Sequence, residues 1–240
     1  MRLFKKNEEK ILCSVVVVAA GASERFGSDK LFAPLAGKPV LAHTLAVLES
    51  CESVSEIVVV APRDGLLKIA ELCDQYAFSK VRKVVVGGAT RVESALCGAS
   101  ETDRNAKLIA IHDGARPLVT RQIVEEAIAA ARRYRAAAPA IPAKDTVKLA
   151  KDEVVTETPP RANAFLVQTP QVFDPALIKG ALTNALEKQL FVTDDASALE
   201  ALGYPVHLTA GSEENIKITT PLDLRFAETI IAARGESACE

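Results

Sequence analysis

Apolar runs alternate with amphipathic stretches along most of this chain. Short continuous runs rich in valine, isoleucine and alanine are typical of strands that are buried on both faces. Each of the first four runs is followed by a stretch with helical periodicity. Strands are predicted at residues 11–20, 56–61, 81–86, 107–112 and 137–141. Helices are predicted at residues 39–50, 64–76, 90–100 and 120–135.

This alternation of strand and helix determines the expected architecture. It implies a parallel sheet with helices on both faces, because each crossover packs its helix against the sheet. Such crossovers are right-handed, so the loops that follow the strands open on one edge. We therefore predict an α/β, Rossmann-like fold with a mostly parallel twisted sheet. The loops at residues 21–34, 87–91 and 113–117 are expected to meet at that edge.

One later segment does not fit the sheet. Residues 146–159 alternate apolar and polar positions around a Lys-Asp-Glu turn, which predicts a β-hairpin. Two strands that stand off a sheet are marginally stable alone. We therefore expect a protruding arm, about residues 143–164, that leans on a second copy of the chain in a symmetric homodimer.

The remaining segments extend the same domain. Residues 165–169 are predicted to return to the core as a strand, and residues 204–208 to form another. Asp174 with Pro175, Thr193 with its two following aspartates, and Thr220 with Pro221 are typical helix starts. We interpret residues 1–240 as a single domain, with residues 1–10 as a loose extension.

The loop after the first strand contains the first candidate chemistry. Small residues at positions 19–21 let backbone N–H groups approach phosphates, while Arg25 and Lys30 offset phosphate charge. The loop is not a Walker A motif, because Ser28 and Asp29 follow Gly27. It is not a dinucleotide fingerprint either, since the glycine spacing is broken. We predict a site for a polyphosphate.

Four further charged residues are candidates at the same edge. Lys217 precedes the last helix in an apolar, strand-like context, where an unpaired ammonium is costly. Asp113 ends a strand, and either forms an Asx turn, binds a divalent cation or accepts hydrogen bonds from sugar hydroxyls. Arg116 follows Asp113, and Arg161 lies beyond the hairpin. Glu93 is interpreted as a capping-box partner of Thr90 rather than as a catalytic group.

Composition restricts the partners. The net charge of −2 gives no reason to expect nucleic acid or an anionic membrane. The longest apolar run is about half a membrane-spanning length. Five widely spaced cysteines without a Cys-x-x-Cys motif favour free thiols in a reducing cytoplasm over disulfides or zinc. No hydrolase elbow, glycosidase carboxylate pair or transition-metal cluster is present.

Taken together, these segments resemble the 2-C-methyl-D-erythritol 4-phosphate cytidylyltransferase family of the non-mevalonate isoprenoid pathway. The resemblance covers about residues 13–234 and depends on the ordered set more than on the first segment, which many nucleotidyltransferases share. The segments are AAGASERFGSDK (19–30), GGATRVESAL (87–96), HDGARP (112–117), PAKDTVK (142–148), TPQVF (169–173), TDDASALEALG (193–203) and NIKITTPLDL (215–224).

The resemblance implies a function and roles for individual residues. The reaction would join CTP to a polyol phosphate with Mg²⁺, releasing pyrophosphate, on a fold of the nucleotide-diphospho-sugar transferase type. The implied nucleoside contacts are Ala19, Ala20, Gly21, Gly87, Gly88, Ser94 and Gly114, and the implied catalytic cations are Arg25, Lys30 and Lys217. The implied acceptor-phosphate residues are Asp113, which also serves as metal ligand, Arg116, Thr169 and, from the partner's arm, Thr146 and Arg161.

Two positions depart from the family pattern. Ala89 stands where an acidic residue is frequent, and Asp29 stands where proline commonly precedes the lysine. Three alternatives remain open. The chain could be a ribitol-5-phosphate cytidylyltransferase, a sugar-1-phosphate nucleotidyltransferase that uses another NTP, or a non-catalytic nucleotide-binding protein on the same scaffold.

Overall fold

The fold is built on four parallel strands that form one half of a large sheet. The structure, a computed structural model, describes residues 13–21, 26–27 and 29–237. These four strands are β1 (Cys13–Val18), β4 (Val54–Ala61), β5 (Val81–Val86) and β6 (Leu108–Asp113). Their spatial order is β5-β4-β1-β6, and every neighbouring pair is parallel. Val18 lies opposite both Val60 and Asp113, so these strands end together.

Helices cover both faces of this sheet, as predicted. They are α1 (Val40–Ser50), α2 (Leu66–Gln75), α3 (Arg91–Ser100), α4 (Arg121–Tyr134), α5 (Pro175–Glu187), α6 (Asp195–Glu200) and α7 (Pro221–Ser237). One core packs α1, α2 and α4 on one face, and a second core packs α3, α5 and α6 on the other. Gly98 lets α3 approach closely, because an added Cβ would lie 2.3 Å from Cγ1 of Val16.

The second half of the sheet mixes directions. β7 (Ala136–Pro142) pairs in parallel with β12 (His207–Ala210). β11 (Gln171–Phe173) runs antiparallel to both β6 and β7, and joins the two halves. β10 (Phe165–Val167) pairs antiparallel with β7. The sheet is therefore mostly parallel, with two reversed strands in its second half.

Two small hairpins lie outside the large sheet. β2 (Pro34–Leu35) and β3 (Lys38–Pro39) form a short one before α1. β8 (Leu149–Lys151) and β9 (Val154–Glu157) form the predicted arm, turning at Asp152 and Glu153, which both have positive φ. All seven residues of β8 and β9 are exposed. The predicted hairpin is thus confirmed, and it makes its own two-stranded sheet.

Three local predictions differ in part from the structure. The strand at 165–169 pairs with β7, but Phe165, Leu166 and Val167 are exposed instead of joining the core. The strand predicted at 204–208 begins later, at His207. Lys217 lies in a loop, not in a strand-like segment. In each case the segment is apolar, as a strand would be. Pairing in the tertiary structure decides which of its residues form a strand and which are buried. The extension at residues 1–10 lies outside the described residues.

Candidate active site

A cleft opens at the carboxyl ends of the parallel strands, where the loops were expected to meet. Its volume is about 280 Å³. Residues from the loops after β1, β5 and β6 line it together with a lysine from the loop before α7. The lining residues are Val18, Ala19, Ala20, Gly21, Lys30, Leu31, Gly88, Ala89, Thr90, Arg91, Ser94, Asp113, Ala115 and Lys217. The predicted convergence of loops is therefore confirmed.

Small residues bring two of these loops into close contact. The backbone N–H of Ala19 donates to the carbonyl of Val60 at 2.8 Å, which continues the sheet into the loop. A Cβ on Gly87 would lie 2.7 Å from the Cβ of Ala20 and 2.8 Å from Oγ of Ser94. Only glycine allows this approach without a shift of its neighbours.

The start of α3 is held by the predicted capping box. Oγ1 of Thr90 accepts from the N–H of Glu93, while the Glu93 carboxylate accepts from the N–H groups of Ala89 and Thr90. Ser94 Oγ donates to the Thr90 carbonyl at 2.9 Å. The Glu93 carboxylate is thus used in hydrogen bonds of the cap. The cap holds the backbone around Arg91, the first residue of α3.

Asp113 lies at the centre of a group of charges. Its Oδ2 is 2.9 Å from Nζ of Lys217 and 3.7 Å from Nε of Arg116, and its Oδ1 is 3.5 Å from Nη2 of Arg91. Only 10% of its side chain is exposed. Burial raises the pKa of the Asp113 carboxyl, but the three cations outweigh burial and hold this pKa well below its usual range. Asp113 is therefore ionised at neutral pH.

Arg91 connects this group to a second, fully buried carboxylate. Its Nη1 donates to Oδ1 of Asp195 at 2.9 Å, and its Nη2 donates to Oδ2 at 2.7 Å. Burial raises the pKa of the Asp195 carboxyl, and the guanidinium of Arg91 opposes that shift. Such a bidentate pair fixes both the position and the plane of the guanidinium.

Lys217 is placed by the loop around it. Asn215 is fully buried, and its Nδ2 donates to Oε1 of Gln168 and to the carbonyl of Thr169. The N–H of Ile218 donates to the carbonyl of Ala115 at 2.8 Å. These contacts on either side of Lys217 bring it beside β6, although it is about a hundred residues away in the chain.

Lys30 lines the same cleft as Lys217. The expectation that two distant lysines meet at one edge of the sheet is thus confirmed, while their catalytic role stays a prediction. Arg25 lies outside the described residues. Asp29 pairs with Lys68 of α2 at 3.1 Å, and Lys68 Nζ lies 3.6 Å from the ring centroid of Phe32. These contacts connect the loop to α2.

Three predicted residues lie behind the cleft wall. Arg116 donates from Nη1 to the carbonyl of Asn215 at 2.6 Å and is mostly buried. Oγ1 of Thr169 accepts from the N–H of Asp113 and contacts Nδ1 of His112 at 3.1 Å. The carbonyl of Gly114 accepts from Oγ1 of Thr44. In this structure these residues hold the site loops together.

The two predicted arm residues are separate from this cleft. Thr146 and Arg161 are exposed and do not belong to its lining. Nη1 of Arg161 is 3.5 Å from the carbonyl of Lys144, so it is close to the base of the arm. The prediction that both act in the site of a partner copy remains a prediction.

Sequence analysis missed the pair of Arg91 and Asp195. One signal was available, because a cation in the first turn of a helix is disfavoured by the helix dipole. Arg91 therefore needed a carboxylate from elsewhere. The two aspartates of the TDDAS segment were both interpreted as helix-start acids. Asp194 does cap α6, accepting from the N–H of Ser197, whereas Asp195 binds Arg91.

The described residues contain neither a cluster of metal-binding side chains nor a helix that could span a membrane. Within residues 13–21, 26–27 and 29–237, no group of three or more histidine, cysteine, aspartate or glutamate side chains could hold a metal ion. No helix in that part of the chain combines the length and apolar character that a bilayer crossing requires. Among the described residues that line the cleft, Asp113 is the only one with a carboxylate side chain.

Known proteins match nearly the whole chain. The family model described as IspD, 2-C-methyl-D-erythritol 4-phosphate cytidylyltransferase, matches residues 13–233. The enzyme of that name from Halalkalibacterium halodurans is 45% identical over 223 residues, covering 92% of this chain and 97% of the relative. The one from Alkaliphilus oremlandii is 42% identical over 228 residues, covering 93% and 96%.

Solved structures agree with these sequence matches. The 4-diphosphocytidyl-2C-methyl-D-erythritol synthase of Anaerococcus prevotii superposes with a TM-score of 0.83 at 31% identity, covering 92% of this chain and 96% of that one. The 2-C-methyl-D-erythritol 4-phosphate cytidylyltransferase of Thermus thermophilus gives a TM-score of 0.72 at 33% identity, covering 90% and 98%. This chain belongs to the 2-C-methyl-D-erythritol 4-phosphate cytidylyltransferase family.

Proposed function

We propose that this chain transfers a cytidylyl group from CTP to 2-C-methyl-D-erythritol 4-phosphate in isoprenoid precursor synthesis. A phosphate oxygen of the acceptor attacks the α-phosphorus of CTP and forms a new phosphoanhydride bond. The bond from the α-phosphorus to the oxygen bridging to the β-phosphorus breaks, and pyrophosphate leaves with the electron pair. The products are 4-diphosphocytidyl-2-C-methyl-D-erythritol and pyrophosphate.

One observation carries this proposal: cations from three distant segments line one small cleft. Among the described residues that line the cleft, Lys30, Arg91 and Lys217 accompany a single carboxylate, Asp113. The cleft lining is therefore positively charged, although the whole chain carries a net charge of −2. Fixed cations in a partly enclosed site stabilise the charge that develops on a triphosphate during transfer.

The reaction requires no general base. The second pKa of a phosphate monoester is about 6, so the attacking oxygen is already ionised near neutral pH. The described cleft lining accordingly contains no histidine or cysteine. His112 is fully buried behind Asp113, and burial lowers the pKa of its imidazole to about 4. Catalysis thus consists of positioning two anions and stabilising the transition state.

The residues take the following roles in this proposal. Lys30 and Lys217 bind the triphosphate, with Arg25 as a third cation. The backbone of residues 19–21, the Gly87-Gly88 turn, Gly114 and Ser94 surround the nucleoside. Arg116, Thr169 and the partner's Thr146 and Arg161 complete the acceptor-phosphate site.

A magnesium ion would suit this site as a companion of the triphosphate. Mg²⁺ is usually bound by one or two carboxylates together with phosphate oxygens and water. The ionised Asp113, whose Oδ1 is only loosely contacted by Arg91, fits the role of the single protein carboxylate. When bound, the ion would neutralise part of the phosphate charge.

An acceptor assay tests the proposed function. Pyrophosphate release is measured with CTP and either 2-C-methyl-D-erythritol 4-phosphate or ribitol 5-phosphate, and then with ATP, GTP or UTP in place of CTP. We expect a kcat/KM for the first pairing of at least about 10⁴ M⁻¹s⁻¹, the low end for natural enzyme–substrate pairs. Preference for ribitol 5-phosphate, for another NTP or for none of the pairings contradicts the proposal.

We further propose that the arm joins two copies of the chain, as the exposed apolar side chains support. Val154 and Val155 of β9 are 67% and 53% exposed, and Leu166 of the adjoining β10 is 54% exposed. Val154 and Val155 are consecutive in a strand and so lie on opposite faces of the hairpin. Exposed apolar side chains on a hairpin that is marginally stable alone fit a surface that another chain covers. We place the enzyme in the cytoplasm, where the four described cysteines, which are all free, stay reduced.

Charge substitution on the arm tests the dimer. We expect the double variant Val154→Asp, Val155→Asp to raise the dimer dissociation constant about a hundredfold, because carboxylates are costly to bury unpaired. Sedimentation over a concentration series measures it. Leu67→Asp on α2, where Leu67 is 71% exposed, is the control and leaves the constant unchanged. An equally strong dimer in the double variant would show that the arm is not the interface.

A further inference from the structure

We infer that Asp195 is a positioning residue for the nucleotide site and acts through Arg91. This inference rests on the proposed function. Asp195 is fully buried and does not line the cleft, so it makes no direct contact with a ligand there. Its carboxylate accepts hydrogen bonds from both terminal nitrogens of Arg91. The Arg91 side chain is 28% exposed and does line the cleft.

The carboxylate of Asp195 sits on a rigid support. The neighbouring Asp194 caps α6 and accepts from Nε2 of Gln171 at 2.6 Å. Oε1 of Gln171, a residue of the buried strand β11, accepts from the N–H of Ala196 at 2.9 Å. The start of α6 is therefore connected directly to the sheet. A side chain of a binding site keeps its geometry when residues behind it hold it through further hydrogen bonds.

The pair also determines how charge is shared in the cleft. Nη2 of Arg91 lies 2.7 Å from Asp195 but 3.5 Å from Asp113, so Asp195 is its main partner. Asp113 therefore keeps Lys217 as its closest cation, at 2.9 Å. Without the charge of Asp195, Arg91 would move onto Asp113 and compete with Lys217. One buried carboxylate thus positions two cleft cations.

Asp174, a capping aspartate outside this support, provides a matched control for this inference. Asp174 caps α5 and pairs with Arg135 at 3.2 Å, whereas Asp195 binds Arg91. Asp195→Asn should lower the affinity for CTP and kcat/KM about tenfold, because small displacements of site groups are costly. Asp174→Asn keeps a side-chain oxygen at the cap of α5, and should leave kcat/KM within about twofold.

A double-mutant cycle distinguishes positioning from a general structural role. CTP affinity is measured by calorimetry without acceptor for the wild type, Asp195→Asn, Arg91→Gln and the double variant. If Asp195 acts through Arg91, the double variant loses no more than Arg91→Gln alone.

These experiments distinguish failure of this inference from failure of the proposed function. Losses that multiply in the double variant, or a tenfold loss in Asp174→Asn as well, overturn this inference while CTP binding by the wild type leaves the proposed function intact. A wild type that neither binds CTP nor releases pyrophosphate overturns the proposed function, and the inference with it.

Discussion

Replacing Lys217 or Lys30 by alanine is expected to lower kcat about a hundredfold, which corresponds to roughly 3 kcal/mol of transition-state stabilisation. Both lysines line the cleft. In the proposed reaction, charge develops there on the α-phosphate and on the leaving pyrophosphate. A fixed ammonium stabilises that charge without reorganisation of solvent. Steady-state pyrophosphate release at saturating CTP and acceptor measures the effect on kcat, separately from any rise in KM.

The two lysines differ in what else they hold. Lys217 lies 2.9 Å from Asp113, so Lys217→Ala also removes a direct ion pair of that buried carboxylate, which Arg91 and Arg116 contact at longer distances. Lys217→Gln removes the charge while keeping most of the side-chain length, and should lose about as much kcat as Lys217→Ala if charge is what matters.

Lys83 serves as the control for these substitutions. It forms an exposed ion pair with Glu101 at 2.9 Å, and Lys83→Ala should change kcat less than about twofold. Near-normal turnover of Lys30→Ala and Lys217→Ala would show that the cleft cations do not stabilise the transition state.

Asp113→Asn is expected to cost about 3 kcal/mol of the free energy of unfolding at pH 7, because breaking a buried ion pair leaves uncompensated charge. In the folded protein this substitution leaves Lys217, Arg91 and Arg116 close together without their shared carboxylate. Urea unfolding of the variant and the wild type measures the difference. Glu101→Gln, in an exposed pair, is the control and should cost less than about 1 kcal/mol.

The same comparison should depend on pH in a defined direction. The pKa of Asp113 in the folded protein is held below its unfolded value of about 3.9, so its stabilisation is fully present well above that pH. As the pH falls toward the folded pKa, this stabilisation is lost. The gap between the wild type and Asp113→Asn should therefore be smaller at about pH 3.5 than at pH 7. An equal gap at both pH values would show that Asp113 is not stabilised by the three cations.

Local signals in the sequence were sufficient for most of the elements and for several of their starts. The capping box of Thr90 and Glu93, the cap of Asp174 with Pro175 after it, and the hairpin turn at Asp152 and Glu153 all appear as predicted. Each depends on residues within a few positions of one another, so backbone geometry and side-chain type decide them together. The alternation of strands and helices likewise predicted the parallel sheet and the edge where the loops meet.

Partners that are distant in the chain could not be read in the same way. An exposed strand such as β10 and a core strand have the same apolar composition, and only pairing in the sheet decides which faces are covered. The predicted substrate role of Arg116 stays a prediction, but the sequence did not show that its guanidinium lies 3.7 Å from Asp113 and donates to the carbonyl of Asn215.

The sequence alone therefore determined the α/β architecture, the separate hairpin of β8 and β9 and the edge where the cleft opens, because apolar periodicity and turn chemistry act over short distances. Only the tertiary structure decided that Lys217 shares Asp113 with Arg91, and that Asp195 holds Arg91 from behind the cleft. The physical reason is that charge pairing depends on separation in space, and the crossovers bring together residues that the chain keeps far apart.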